Sequence, residues 1–288
     1  MKSEHTDSKI LAKLNTRHLP TLPGNVPWLL ESLSNENIDF NRIVEVIECF
    51  PGIAGRLLSL ANSVWSAPVS PVTTLEAACS RLGYGVVKST SIALAIAAPF
   101  NPAKCPSFDA EYFWCSALMT AEAASRLATV SSSISDLDPS SARIAGLLHN
   151  LGLLWLVDRL PDELDTAFVS VKQNQKPSLQ QALYPILEFD HTRAGAFLAD
   201  SWRLPEALVA ALAHYPAADY QGAHREIVNT VGLARELVRA VDHKQSWSSQ
   251  DIRVANLGIN EDDIAKVIED LNLRLGRIRD LANILFVA

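Results

Sequence analysis

Apolar residues recur along this chain at three- and four-residue intervals, the spacing that lines one face of a helix. Ile43, Val46, Ile47 and Phe50 follow Asp39, whose carboxylate can accept from the free N–H groups at a helix start. Ile53, Leu57, Leu60 and Ala61 follow Pro51, a residue suited to a first turn. Leu75, Ala78, Cys79 and Leu82 follow Thr73, which reads with Glu76 as a capping box. Gly83 and Gly85 interrupt the pattern, and a further apolar helix is predicted from Val86 to Ala97. The two prolines between Asn101 and Ser107 mark a linker, and a long helix is predicted from Asp109 to Ala128. Ser131 to Ser135 reads as an exposed, mobile loop.

The second half repeats the same grammar. Asp138 and Pro139 open a helix that runs through Gly146-Leu147-Leu148-His149-Asn150-Leu151-Gly152. Pro161 opens another, with Leu164, Ala167, Phe168 and Val171 on one side, and Ser178 with Gln181 makes a capping box. Pro205 starts a helix that Pro216 stops after His214-Tyr215, and one more is predicted from Arg225 to Val241. Lys244 to Gln250 reads as a loose polar loop. Beyond Asn260, the acidic Glu261, Asp262 and Asp263 favour a helix start. Ile264, Val267, Ile268, Leu271, Leu275, Ile278 and Leu281 then form a stripe that should pack back on the body. Period-two alternation is scarce, so the chain is expected to be all-α.

Composition narrows the options. With 288 residues, 48% hydrophobic and 20% charged, the chain can build a proper core. A net charge of -7 excludes a general nucleic-acid binder, which needs a basic face. The longest apolar run, Ile92 to Phe100, is far short of the roughly 18 residues of a membrane span. The residues from Met1 to Asn15 do not resemble a signal peptide, so a soluble, cytoplasmic protein is expected, with no membrane partner. None of Cys49, Cys79, Cys105 and Cys115 forms a CxxC pair, and Cys49 and Cys79 fall on apolar stripes as small core residues. Neither a phosphate loop of the GxxxxGK type nor a GxSxG elbow is present.

The chemistry concentrates at His149-Asn150, Asp190-His191 and His214. Together with Leu19-Pro20-Thr21-Leu22-Pro23, Leu57 to Ser63, Ala77 to Gly83, Asp190 to Ala196 and Trp202-Arg203-Leu204-Pro205, these segments make the chain resemble the HDOD family. That family comprises the HD-related output domains of bacterial signalling proteins. The resemblance implies a two-lobe helical bundle, an N-terminal lobe over residues 16–100 and a degenerate HD-like lobe over 101–288. Asn62 and Ser63 carry a family signature, and a polar pair closing an apolar stripe suits helix termination.

The departures from the HD pattern carry the functional expectation. HD enzymes place Asp after the central His; this chain has Asn150, whose neutral oxygen binds a divalent cation less well. The earlier family ligand would fall near Trp114-Cys115, where there is no His, and the last would fall at Arg235, a cation. Glu236 is one step round the helix and is expected to point away. His149, His191 and His214 remain, with Tyr215 where relatives can carry a second His. No catalytic residue, metal or cofactor is therefore expected, and His149, Asn150, His191, His214 and Arg235 are expected to line a pocket for a ligand or partner. The resemblance implies a non-catalytic output or scaffold module that binds a signalling protein or a small molecule. Since 288 residues leave no room for a receiver domain, its signal is expected in trans. Two alternatives remain: a divergent metal phosphohydrolase using the three histidines, and a nucleotide sensor using Arg193, Arg203 and Arg235, since arginine suits phosphate.

Overall fold

The computed structural model of the chain describes residues 10, 19–20, 26–34, 38–63, 66, 70–132, 137–245, 247 and 250–287. Among them the protein is helical throughout, with no strand. The first five helices are α1 (Val26–Ser34), α2 (Phe40–Glu48), α3 (Pro51–Ala61), α4 (Leu75–Leu82) and α5 (Tyr84–Ala97). A short 3-10 turn, Pro102–Lys104, leads to the long α6 (Ala110–Val130), then α7 (Pro139–Leu148), α8 (Leu151–Arg159) and α9 (Pro161–Lys172). The order continues with α10 (Leu179–Leu187), α11 (His191–Ser201), α12 (Glu206–His214), α13 (Arg225–Asp242), α14 (Ile252–Leu257) and α15 (Glu261–Ala282). The last residues, Asn283–Val287, widen into a π-helical turn.

Most of the starts follow the local chemistry. Asp39, Asp109, Asp138, Ser178 and Asn260 each accept a backbone N–H of the helix they precede. The capping box expected at Thr73 is replaced by Thr74, whose hydroxyl accepts from the Ala77 N–H at 3.2 Å. Gly83 alone breaks the chain there, at φ 81°, and Gly85 lies inside α5. Asn62 closes α3 and clamps the following loop: its Oδ1 accepts from the Val72 N–H at 2.7 Å, and its Nδ2 donates to the Val72 carbonyl at 2.8 Å. Cys79 is buried as expected, but Cys49 is exposed because it follows the last turn of α2, off the apolar face. Ser131 and Ser132 donate to the carbonyls of Leu257 and Gly258, both at 2.5 Å. Residues 133–135 of that serine-rich loop, 21–23 of the opening proline segment, most of 1–15, and 246 and 248–249 lie outside the described residues.

The centre of the molecule is α6, against which α7, α13 and α15 pack. The stripe of α15 does face the body: Ile264, Val267, Leu271 and Leu281 are buried, and Arg126 of α6 pairs with Asp270 at 3.0 Å. Helix α5 packs against α1, α3, α4 and α7. The C-terminal turn packs on α6, where Phe286 stacks on Trp114 at 3.9 Å, and reaches α3, where the Leu285 carbonyl accepts from Arg56. No helix among the described residues is long and apolar enough to cross a membrane.

Candidate functional site

The helix predicted to run from Asp138 through Gly152 is in fact two helices, and the break falls on His149-Asn150. The His149 Nδ1–H donates to the Gly146 carbonyl at 2.7 Å, so the ring folds back over the end of α7. Asn150 leaves helical geometry at φ −103°, ψ 20°, and its carbonyl starts α8 by accepting from the Leu153 N–H. The next turn carries Gly152, where a Cβ would collide with the His191 carbonyl and the Gly195 backbone nitrogen. Glycine at this crossing lets α8 and α11 touch backbone to backbone, which brings Asn150 and His191 to one place.

Asp190 is consumed by structure. Its carboxylate caps α11, accepting from the Thr192 and Arg193 N–H groups at 3.0 Å each, from the Thr192 hydroxyl at 2.7 Å and from Gln180. Burial raises its pKa, but those hydrogen bonds outweigh the burial and hold it below the usual aspartate range. His191 then enters the site. The Tyr215 hydroxyl donates to Asn150 Oδ1 at 3.0 Å and accepts from His191 Nε2 at 3.3 Å. The His149 and Tyr215 rings meet edge to face at 5.1 Å. Tyr215 is fixed from behind as well, since its carbonyl accepts from Arg253, a buried guanidinium paired with Asp251 at 2.6 Å.

These groups border a cavity of about 500 Å³. Ser116, Asn150, His191, Tyr215 and Arg235 form its polar wall, and Phe108, Phe113, Leu153, Phe168 and Val171 its apolar one. Burial, followed by the Arg235 charge, pushes the pKa of His149 down to about 3. Burial also lowers that of His191, against the pull of Asp190. Burial raises the Tyr215 phenol. Arg235 keeps its charge despite burial because the Tyr112 and Tyr215 hydroxyls favour it, the Tyr112 oxygen lying 3.5 Å from Nη2. Near neutrality the cavity thus presents the neutral His191 imidazole and the Arg235 cation, with the Asp109 carboxylate and the Glu236–Arg239 ion pair also on its lining.

Five expectations need correction. His149 is buried against the Tyr215 ring and is not on the cavity lining. His214 is not in the cavity: it is exposed and stacks on Tyr220 at 4.6 Å. Successive helical residues diverge by about 100°, so where α12 ends only one of positions 214 and 215 can face inward, and Tyr215 does. Cys115 points the other way, toward Asp242 and Arg279, and Ser116 faces the cavity instead. Glu236 does not turn away; it sits at the rim, bound to Arg239 at 2.6 Å. Arg193 and Arg203 do not line the cavity, which leaves Arg235 from the predicted arginine trio. Ser116, Tyr112 and Arg253 carried no signal in the sequence, because each depends on a helix crossing.

The donor set does not suit a divalent metal. Among the described residues, no three His, Cys, Asp or Glu side chains come together in a way that could hold an ion. His149 Nδ1 and His191 Nε2 are committed to other partners, the adjacent carboxylate is an amide, and a guanidinium borders the space.

The fold and these residues define a helical bundle of the HD/HDOD type. The chain belongs to the HDOD family: the HDOD domain profile matches residues 19–218. Its fold is similar to that of a protein from Marinobacter aquaeolei VT8 assigned to signal transduction (TM-score 0.82, 22% identity, 99% of this chain and 65% of that one). It is also similar to an HDOD domain protein from Geobacter sulfurreducens (TM-score 0.75, 18% identity, 100% and 99%). A protein from Shewanella amazonensis SB2B assigned as a phosphohydrolase shares the fold too (TM-score 0.71, 23% identity, 96% and 98%). An uncharacterized protein of Treponema pallidum (strain Nichols) is 21% identical over 239 residues, 82% of this chain and 45% of that protein. The chain therefore spans less than two thirds of the Marinobacter protein and less than half of the Treponema one.

Proposed function

We propose that this protein is a non-catalytic signalling module, in which the site of an ancestral metal hydrolase has become a recognition cavity. The observation that carries this reading is the replacement of carboxylates by Asn150 and Arg235 around His149 and His191. A metal centre needs several donors together, whereas Asn150 and His191 are joined through the Tyr215 hydroxyl and His149 is bound to the Gly146 carbonyl. HDOD membership and the likeness to a protein assigned to signal transduction support the signalling part. In this reading the module works in the cytoplasm, and occupancy of the cavity, or docking of a partner protein, is passed between the lobes at residues 16–100 and 101–288.

The test is metal analysis of purified protein with a phosphodiester assay in added manganese, iron or zinc. Wild type is expected to hold no stoichiometric metal, to turn nothing over and to melt at the same temperature with and without EDTA. Asn150→Asp is expected to gain neither metal nor activity, because Arg235 and the hydrogen-bonded Tyr215 remain. Near-stoichiometric metal in wild type, with turnover lost in His149→Ala or His191→Ala, would establish a hydrolase and overturn the proposal.

A further inference from the structure

The polar wall of the cavity contains buried groups that nothing in the protein satisfies. His191, 91% buried by its 9% exposure, leaves Nδ1 without a partner. Ser116, 2% exposed, leaves its Oγ free, and Nη1 of Arg235 is buried with no acceptor. His149 Nε2, just behind, is in the same condition. Each such atom costs about 1–3 kcal/mol if left unpaired, so a cluster of them marks a place prepared for something that supplies the missing bonds.

The required bonds specify the occupant. Arg235 and Ser116 offer N–H and O–H donors and ask for acceptor oxygens. The tautomer set by Tyr215 gives His191 a donating Nε2, so its Nδ1 carries a lone pair and asks for an O–H or N–H. Among the described residues no carboxylate pairs with Arg235: Asp242 acts on it only from a distance, and Glu236 is bound to Arg239. One uncompensated guanidinium matches one unit of negative charge, that of a carboxylate. A phosphate, with about −1.5 to −2 at pH 7, would leave charge unpaired in a half-apolar space. The opposite wall is aromatic, with Phe108 set against Phe113 at 5.4 Å and Phe168 at 6.2 Å. A cavity of about 500 Å³ suits a small organic molecule.

We infer that the cavity binds a small organic acid with a single carboxylate, a neighbouring hydroxyl or N–H donor and an apolar, ring-sized body. The carboxylate lies on Arg235 and Ser116, the donor on His191 Nδ1, and the ring against Phe108, Phe113 and Phe168. This inference deepens the reading of the cavity as a metal-free recognition site and rests on it.

The probe is 3-phenyllactate, titrated calorimetrically against the full chain, with three relatives each lacking one feature. These are 3-phenylpropionate without the hydroxyl, lactate without the ring, and phenyl phosphate with a dianion in place of the carboxylate. Phenyllactate is expected to saturate wild type at millimolar concentration or below, to raise its melting temperature and to bind more tightly than all three. Arg235→Met is expected to weaken it by about tenfold or more, a typical change for losing a charged partner. Ser116→Ala, a conservative change at a buried site, should weaken it several-fold and guards against a folding defect in the arginine variant. His191→Phe should abolish the preference for phenyllactate over phenylpropionate. No saturable binding of phenyllactate, tighter binding of phenyl phosphate, or affinity unchanged in both Arg235→Met and Ser116→Ala would overturn the inference. Turnover in the metal assay with phenyllactate binding intact would sink the non-catalytic reading alone; silence in both experiments would sink the ligand class alone.

Discussion

The junction of His149, Asn150, His191 and Tyr215 is a compact, largely buried unit held by the Tyr215 hydroxyl and ring. Asn150 Oδ1 accepts a hydrogen bond from the Tyr215 hydroxyl. Neutral imidazoles are then compatible with the adjacent Arg235, and that neutrality has a measurable consequence. Unfolded, each imidazole takes a proton below about pH 6.5; folded, His149 resists protonation down to about 3, through burial and then the Arg235 charge. The unfolded state therefore binds more protons across this window. Stability is full above pH 6.5 and falls as the pH drops, by up to about 1.4 kcal/mol per pH unit for each such imidazole. His191, lowered by burial, adds in the same direction. Urea midpoints measured between pH 7 and 5 are expected to decline, and His149→Gln, which can still donate to the Gly146 carbonyl, should flatten the slope by about one proton. A slope unchanged by that substitution would show that His149 titrates normally.

At the scale of elements, the site depends on two helices meeting without side chains between them. Gly152 of α8 lies against the His191 carbonyl and Gly195 of α11, so a methyl group at 152 must push the helices apart. Gly152→Ala is expected to cost about 1–3 kcal/mol or more, the range for overpacking a filled interior. It should also move His191 away from Tyr215. Thermal unfolding checks the first effect, and the histidine ring resonances in an NMR spectrum check the second. An alanine variant as stable as wild type would mean that α8 and α11 can separate freely.

Across the whole molecule, the C-terminal turn returns to the first half of the chain. Phe286 stacks on Trp114, and the Leu285 carbonyl binds Arg56. Phe286 is half-buried, so Phe286→Ala is expected to lose about 1–2 kcal/mol, part of what full burial of such a ring contributes. Leu273 on the preceding α15 is 75% exposed, and Leu273→Ala should change stability by less than about 0.5 kcal/mol. Equal denaturation midpoints for the two variants would mean that the terminal turn contributes nothing to the joining of the halves.

The helical class, most helix starts and the family were legible in the sequence, because a three-to-four-residue apolar period and a capping side chain act over a few neighbouring residues. Asp39, Asp138, Ser178 and Asn260 could be read as caps for that reason. The resemblance to the family marked His149, Asn150, His191 and Arg235 as one group. Which of two adjacent side chains turns inward depends instead on how the whole helix is rolled against its neighbours. That decided Tyr215 over His214 and Ser116 over Cys115. The break at His149-Asn150 was hidden similarly, since the apolar run continues across it and only packing against α6 and α11 fixes the two helix directions. The sequence by itself determined the helices and which side chains are available to the site; the tertiary structure decided the cavity, because its walls come from helices far apart in the chain and brought together only by burial of their apolar faces.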